Sequence, residues 1–143
     1  VTLRLFNVYG PGQNNNFLIP SILNNVFNKE IIQLLNPKPK RDFIYIDDVI
    51  DAIIRSFSIN DNYQTLNIGS GISYSVEEIA NIIQDLAKTN MPVKYLNIER
   101  ENEINDVIAN IENAAKYIGW KPQTNIKKGI KLTLNSMKNK SNG

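Results

Sequence analysis

Short strand-like patterns alternate with helical apolar periods along almost the whole chain, and this alternation is what most limits the folds open to it. Residues 1–8 alternate apolar and polar and read as a strand that runs into the turn Tyr9-Gly10-Pro11-Gly12, where Pro and Gly supply the backbone angles. After a polar loop over 13–16, the spacing of Ile19, Ile22, Leu23 and Val26 predicts a helix over 17–28, with Pro20 in a first turn that does not need its N–H. Strands are expected over 31–35 and 41–46, on either side of the stiff loop Asn36-Pro37-Lys38-Pro39. Asp47 or Asp48 is placed to cap a helix whose core face is Ile50, Ile53, Ile54 and Phe57. A turn over 60–62 leads to a strand over 65–68 that ends at Gly69-Ser70-Gly71.

Ser75-Val76-Glu77-Glu78 has the form of a capping box for a helix that buries Val76, Ile79, Ile83 and Leu86. A strand over 93–98 and a charged loop over 99–106 follow. Asn110 can cap a short helix that stops at Gly119, and a last helix carries Ile126, Ile130, Leu134 and Met137 on one face. The pattern is that of a single α/β or α+β domain over 1–140, with a disordered tail over 141–143.

Composition narrows the chemistry. The chain has neither cysteine nor histidine, so disulfides, thiolate catalysis, zinc–sulfur sites and the commonest general base are excluded. With 16 basic and 14 acidic residues and a net charge of +2, nothing suggests a nucleic-acid or membrane-surface partner. No stretch is long and apolar enough to span a bilayer and no signal peptide is visible, so a cytoplasmic location is expected. The pattern opens inside a strand at Val1, from which we expect the chain to be a fragment.

Three segments resemble, in order, the hallmarks of the extended short-chain dehydrogenase/reductase superfamily, in particular its nucleotide-sugar epimerases and dehydratases. They are Arg4-Leu5-Phe6-Asn7-Val8-Tyr9-Gly10-Pro11-Gly12, Arg41-Asp42-Phe43-Ile44-Tyr45-Ile46-Asp47-Asp48-Val49, and Asn67-Ile68-Gly69-Ser70-Gly71 with Ser75-Val76-Glu77-Glu78-Ile79. Gly119-Trp120-Lys121-Pro122 is a weaker fourth. The resemblance implies the C-terminal, substrate-binding portion of such an enzyme: a few strands with helices packed on them, belonging to an incomplete Rossmann sheet. It also implies that an upstream NAD-binding domain carries the glycine-rich turn and the catalytic Tyr-x-x-x-Lys pair, so that no catalytic residue and no cofactor are expected on this chain. Tyr117 and Lys121 have that spacing, but Gly119 and Pro122 break any helix joining them.

The site residues come from the same resemblance, beside what their chemistry allows. Arg41, after the stiff loop, is the first candidate for the diphosphate of a nucleotide sugar, because a guanidinium pairs bidentately with phosphate oxygens. An ion pair with Asp42 or Asp47 is the structural alternative. Arg100 is the second phosphate candidate, with Glu103 for ribose or sugar hydroxyls where the family has an Asp. Asn7 can donate to and accept from the diphosphate and a sugar hydroxyl. Asn16 opens a helix whose start favours an anion. Leu35, beside Leu34, is the expected contact for the base, with pyrimidine against purine left open. Asp42, Tyr45, Asp47 and Asp48 are read as structural, with Tyr45 on a strand surface, and Trp120 as a core plug.

The function implied is substrate recognition within an NAD-dependent nucleotide-sugar 4-epimerase or 4,6-dehydratase. The alternatives are a freestanding nucleotide-sugar-binding or protein-interaction module without catalysis, and a remnant that has lost binding. The expected partners are a nucleotide-diphosphate sugar, the upstream domain and a second copy of the chain across the exposed first strand.

Overall fold

The computed structural model describes residues 1–59, 64–98 and 101–141. The strand expected over 1–8 is two strands. β1 (Thr2–Leu5) pairs in parallel with β5 (Thr65–Ile68), and β2 (Asn7–Tyr9) pairs in parallel with β4 (Lys40–Tyr45). The chain passes from one sheet to the other at Phe6, whose N–H still donates to the Ile68 carbonyl at 2.9 Å.

β4 is the centre of the molecule. Besides β2 it pairs with β6 (Ser73–Ser75), antiparallel, and with β8 (Asp106–Val107), parallel. Its side chains alternate between two cores, as the two-residue period of a strand requires. Phe43 and Tyr45 enter a core shared with α1 (Leu18–Phe27), α3 (Val76–Ala87) and α5 (Ile126–Ser141), in which Ile19, Ile22, Leu23, Val26, Ile79, Ile83, Ile130 and Leu134 are buried. A third small sheet, β3 (Ile32–Leu34) parallel to β7 (Val93–Tyr95), closes that core. Ile44 points the other way, into a core built by α2 (Ile46–Ser56), β5 and α4 (Glu112–Ile118). Tyr45, expected on the strand surface, is therefore buried, edge-on to Tyr9 at 5.6 Å between ring centroids. α5 approaches Tyr9 closely at Gly129, where a Cβ would collide with the tyrosine hydroxyl.

The helix termini obey the sequence for the most part. Ser75 caps α3 with a full capping box: its hydroxyl accepts the Glu78 N–H at 3.0 Å, and the Glu78 carboxylate accepts the Ser75 N–H at 2.7 Å. Gly119, with φ at +59°, ends α4 before Lys121, but the N-cap position of that helix is Ile111, and Asn110, expected there, sits one residue earlier and accepts the Glu112 N–H. Neither Asp47 nor Asp48 caps α2, which begins directly after β4 with both aspartates inside its first turn. Asp48 instead accepts the N–H groups of Gln123 and Thr124, while the indole of the fully buried Trp120 donates to its carbonyl at 3.0 Å.

One expected face is overturned. Ile50, Ile53, Ile54 and Phe57 do not face the core; they are exposed, Phe57 by 81%, and α2 instead buries Asp48, Val49, Ala52 and Ser56. The larger side chains misled the periodic reading, because the inner face lies close against β4 and α4 and admits only smaller residues. The turn expected over 60–62 lies outside the described residues. α5 extends to Ser141, and the remainder of the tail expected over 141–143 also lies outside them.

The capping box has a measurable pH signature. The Glu78 carboxyl is held below its usual range, first because it accepts the Ser75 backbone N–H. Its contribution to stability is thus present above the ordinary carboxylate pKa and is lost as pH falls through the lowered value. We expect Ser75→Ala to cost about 1 kcal/mol in urea unfolding at neutral pH. Glu78→Gln should flatten the acid limb of the stability–pH curve; an unchanged limb would count against the box.

Candidate functional site

Separate parts of the chain converge on one cleft of about 670 Å³: β2, the 13–17 loop with the start of α1, the end of β3, the start of β4, the first residue of α3, Ile98 and Glu103. Asn7, Asn16, Leu35, Arg41 and Glu103 all line it. Arg100 lies outside the described residues.

Arg41 is oriented by the backbone. Its Nη1 donates to the carbonyls of Lys40 and Ile104, both at 2.8 Å, and its Nη2 reaches Glu103 Oε1 at 3.4 Å. The ion pair is thus with Glu103, and neither Asp42 nor Asp47 is its partner. Asn7 Nδ2 donates to the Asp42 carbonyl at 3.0 Å, so the amide is fastened across the β2–β4 pair. The Asn16 N–H is held by the Asn14 side chain at 2.9 Å just before α1, whose N-cap position, Phe17, offers no side-chain cap. Leu34 turns into the core while Leu35 is 40% exposed, and the Leu35 carbonyl accepts the Ile98 N–H at 3.0 Å.

Beneath Arg41, the neighbouring Asp42 is fully buried and its carboxylate accepts four donors. They are the Ser70 N–H at 2.6 Å, the Ser70 hydroxyl at 2.7 Å, the Gly71 N–H at 2.8 Å and the Ala109 N–H at 3.1 Å. A Cβ at Gly69 would collide with Ala109 and lie 2.9 Å from an Asp42 oxygen, so this turn requires glycine.

The cleft's ionisable groups, among the described residues, are Arg41, Glu103 and Tyr9. Burial, helped by Tyr45, Asp48 and Tyr74, pushes the Tyr9 phenol far above its usual pKa, so it stays protonated, with its hydroxyl near the Ile126 carbonyl at 3.4 Å. What the arrangement offers is a fixed cation, a carboxylate, amides and an apolar rim, which suits a ligand that carries both anionic and hydroxyl groups.

A sequence-family model described as GDP-mannose 4,6-dehydratase matches residues 1–133. The chain belongs to this family of nucleotide-sugar epimerases and dehydratases. It is 32% identical to CDP-abequose synthase of Salmonella muenchen over 141 residues, which is 96% of this chain and 47% of that protein. UDP-N-acetylglucosamine 4-epimerase of Methanobrevibacter ruminantium M1, solved with UDP-N-acetylmuramic acid, superposes with a TM-score of 0.88 at 29% identity, over 96% of this chain and 46% of that one. UDP-glucuronic acid 4-epimerase of Bacillus cereus, solved with UDP-glucuronic acid and NAD, shares the fold with a TM-score of 0.89 at 22% identity, over 97% and 45%. The chain spans about half the length of the relatives it matches.

Among the other residues that line the cleft, Phe17, Ile98 and Gln13 bear most on what it can hold. Phe17 and Ile98, exposed by 57% and 52%, add apolar surface to its rim beside Leu35. Gln13 donates through Nε2 to the Val8 carbonyl at 2.8 Å, which fixes its amide, and its buried Oε1 has no partner among the described residues. Nothing in the residue types or spacing marks Gln13, because its role depends on how the 10–17 loop folds back on β2.

Asp42 is the strut under this site. We expect Asp42→Asn, which turns an NH2 group toward converging donors, to cost about 3 kcal/mol in urea unfolding. A loss below about 0.5 kcal/mol, the range of an ordinary surface change, would mean the four hydrogen bonds do not hold the turn.

Proposed function

We propose that this chain is the C-terminal, nucleotide-sugar-binding portion of a cytoplasmic NAD-dependent nucleotide-sugar 4-epimerase or 4,6-dehydratase. The observation that carries this reading is that Asn7, Asn16, Leu35, Arg41 and Glu103, distant in sequence, line one cleft with the guanidinium fixed by two carbonyls. Arg41, with Arg100, takes the diphosphate, Asn7 bridges diphosphate and sugar, Glu103 accepts hydroxyl donors, and Leu35 with Ile98 and Phe17 packs against the base. The start of α1, just after Asn16, adds its backbone dipole to the anion site.

NAD supplies the temporary oxidation of a sugar carbon in the whole protein. The glycine-rich turn of this chain does not fit that cofactor. The glycine-rich turn at 69–71 commits the N–H groups of Ser70 and Gly71 to the Asp42 carboxylate, an anion that already occupies the place a pyrophosphate would need. We therefore assign NAD to the upstream domain, in keeping with a match over about half of each relative. The same assignment gives a reason for the apolar outer face of α2, with Ile50, Ile53, Ile54 and Phe57 exposed, and for β1, which pairs with β5 alone among the described residues and leaves Leu5 47% exposed.

Two measurements test this reading. Calorimetric titration of residues 1–143 with UDP-, CDP-, dTDP- and GDP-glucose should find binding by at least one of them. Arg41→Ala should then weaken it by about tenfold or more, the usual cost of losing a charge-assisted hydrogen bond to phosphate. No binding across the panel would sink the reading. By light scattering, residues 1–143 should self-associate through the uncovered face, and the Ile54→Asp, Phe57→Asp double variant should shift toward monomer. A wild-type monomer over a broad concentration range would remove that face from the argument.

A further inference from the structure

Charge is unevenly divided along the chain. Its last 31 residues carry seven lysines and no acid, while the 112 before them carry nine basic and fourteen acidic residues, so the small net charge of +2 hides two opposed regions. The fold sets the two signs on neighbouring helices. In α5, Lys127, Lys131 and Lys138 fall on one exposed stripe, with Lys128 exposed beside it. In α3, Glu77, Asn81 and Asp85 recur every four residues on the exposed face, with Glu78 beside them. α3 packs against α5 on the side of β4 away from α2.

These charges find no ion pair within the chain. The ion pairs among the described residues are Arg41–Glu103 and Arg55–Asp51, and neither includes a residue of α3 or α5. Lysines four apart on a helix repel one another, and α5 has no acid to relieve them. Two oppositely charged helices thus lie side by side and present their charges outward rather than to each other. The stripes are also comparable in length: at the rise of a helix, Glu77 to Asp85 spans about 12 Å and Lys127 to Lys138 about 17 Å.

We propose that the outer faces of α3 and α5 form a self-complementary docking surface for a second copy of this chain. A two-fold axis between the two helices sets α5 of each copy against α3 of the other, so that each lysine stripe meets an acidic one. Pairing α5 with α5 would set lysines against lysines, which fixes the crossed arrangement. A lysine stripe alone would also suit an anionic lipid surface, but that surface would repel the acidic stripe one helix away; a second copy answers both signs. Leu132, 40% exposed, and the half-buried Ile82 and Leu86 add a little apolar area. The contact is mostly between exposed charges, so it is weak and sensitive to salt. It does not depend on what covers Ile54 and Phe57, because α2 lies on the opposite side of β4.

The test uses the full chain carrying Ile54→Asp and Phe57→Asp, so that association through α2 does not contribute. Sedimentation velocity should find a dimer at about 50 mM salt that weakens about tenfold or more at about 500 mM. Lys127→Glu with Lys131→Glu in one version, and Asn81→Lys with Asp85→Lys in another, should each be monomeric at low salt, because each sets like charges face to face. Mixed in equal amounts, the two versions should form a heterodimer, since the acidic α5 of one now meets the basic α3 of the other. All four changes in one chain should restore the homodimer, which a mere folding defect would not do. A background chain that is monomeric at low salt overturns the proposal, and so does a dimer that ignores these changes. Folded, monomeric versions that fail to pair overturn it as well. A monomer that instead sediments with phosphatidylserine vesicles gives the lysines a lipid partner and also overturns it.

Discussion

Asp42 is the interaction on which the arrangement rests. Its carboxylate is out of water, which is costly for a charge unless donors surround it, and here four do. Those donors belong to the turn after β5 and to Ala109 beyond β8, while the Asp42 backbone pairs with β6 and accepts Asn7 from β2. One residue thus ties the end of β5, which belongs to a separate two-stranded sheet, to the sheet built around β4. It also explains why a glycine-rich turn in this chain is structural: its amides already serve an anion, and that anion is the protein's own.

The cleft follows from the alternation along β4. Asp42 and Ile44 point to one side, so Arg41 and Phe43 must point to the other, with Phe43 in the core and Arg41 at its edge, where the strand meets the solvent. A guanidinium at that position could wander on its long side chain. It does not, because the segment entering β8 passes beside it and presents the Ile104 carbonyl. The cation is therefore positioned by backbone, and the side chain opposite it, Glu103, is left as the variable element. A strand pairing and a carbonyl do the positioning that a second carboxylate would otherwise have to do.

How much of this could be read from sequence depends on range. Elements set by local chemistry were legible: the Ser75–Glu78 box, the Gly119 stop, the apolar stripe of α1, and the turn at 69–71. The residues Asn7, Asn16, Leu35, Arg41 and Glu103 were named from family-like motifs, and the structure brings all five to one cleft, though motif and spacing gave no hint that Arg41 would choose Glu103 over its neighbours Asp42 and Asp47. What failed was set at long range. The break at Phe6 exists because two different strands compete for the first segment, and the burial of Tyr45 exists because β4 has a core on each side. Gln13 depends on a loop closing over β2, which has no periodic signature.

The misread face of α2 has a physical cause beyond a wrong choice of stripe. Val49, Ala52 and Ser56 form one stripe and Ile50, Ile53, Ile54 and Phe57 form another, with Asp47, Asp51 and Arg55 on the remaining side. A surface helix has one apolar stripe opposite a polar face; a helix with two adjacent apolar stripes has the composition of an element covered from two directions. Small residues line the inner stripe because β4 and α4 are already close. Large ones line the outer stripe, and large residues would be suited to a layer that packs against them at ordinary helix separation. β1 repeats the pattern: Leu3 packs into the core that Val49 and Ala52 share, while Val1 and Leu5, on the same side of the strand, remain exposed. Helix and strand are thus each half-covered beside the same core. Such a contiguous apolar surface is costly to leave in water.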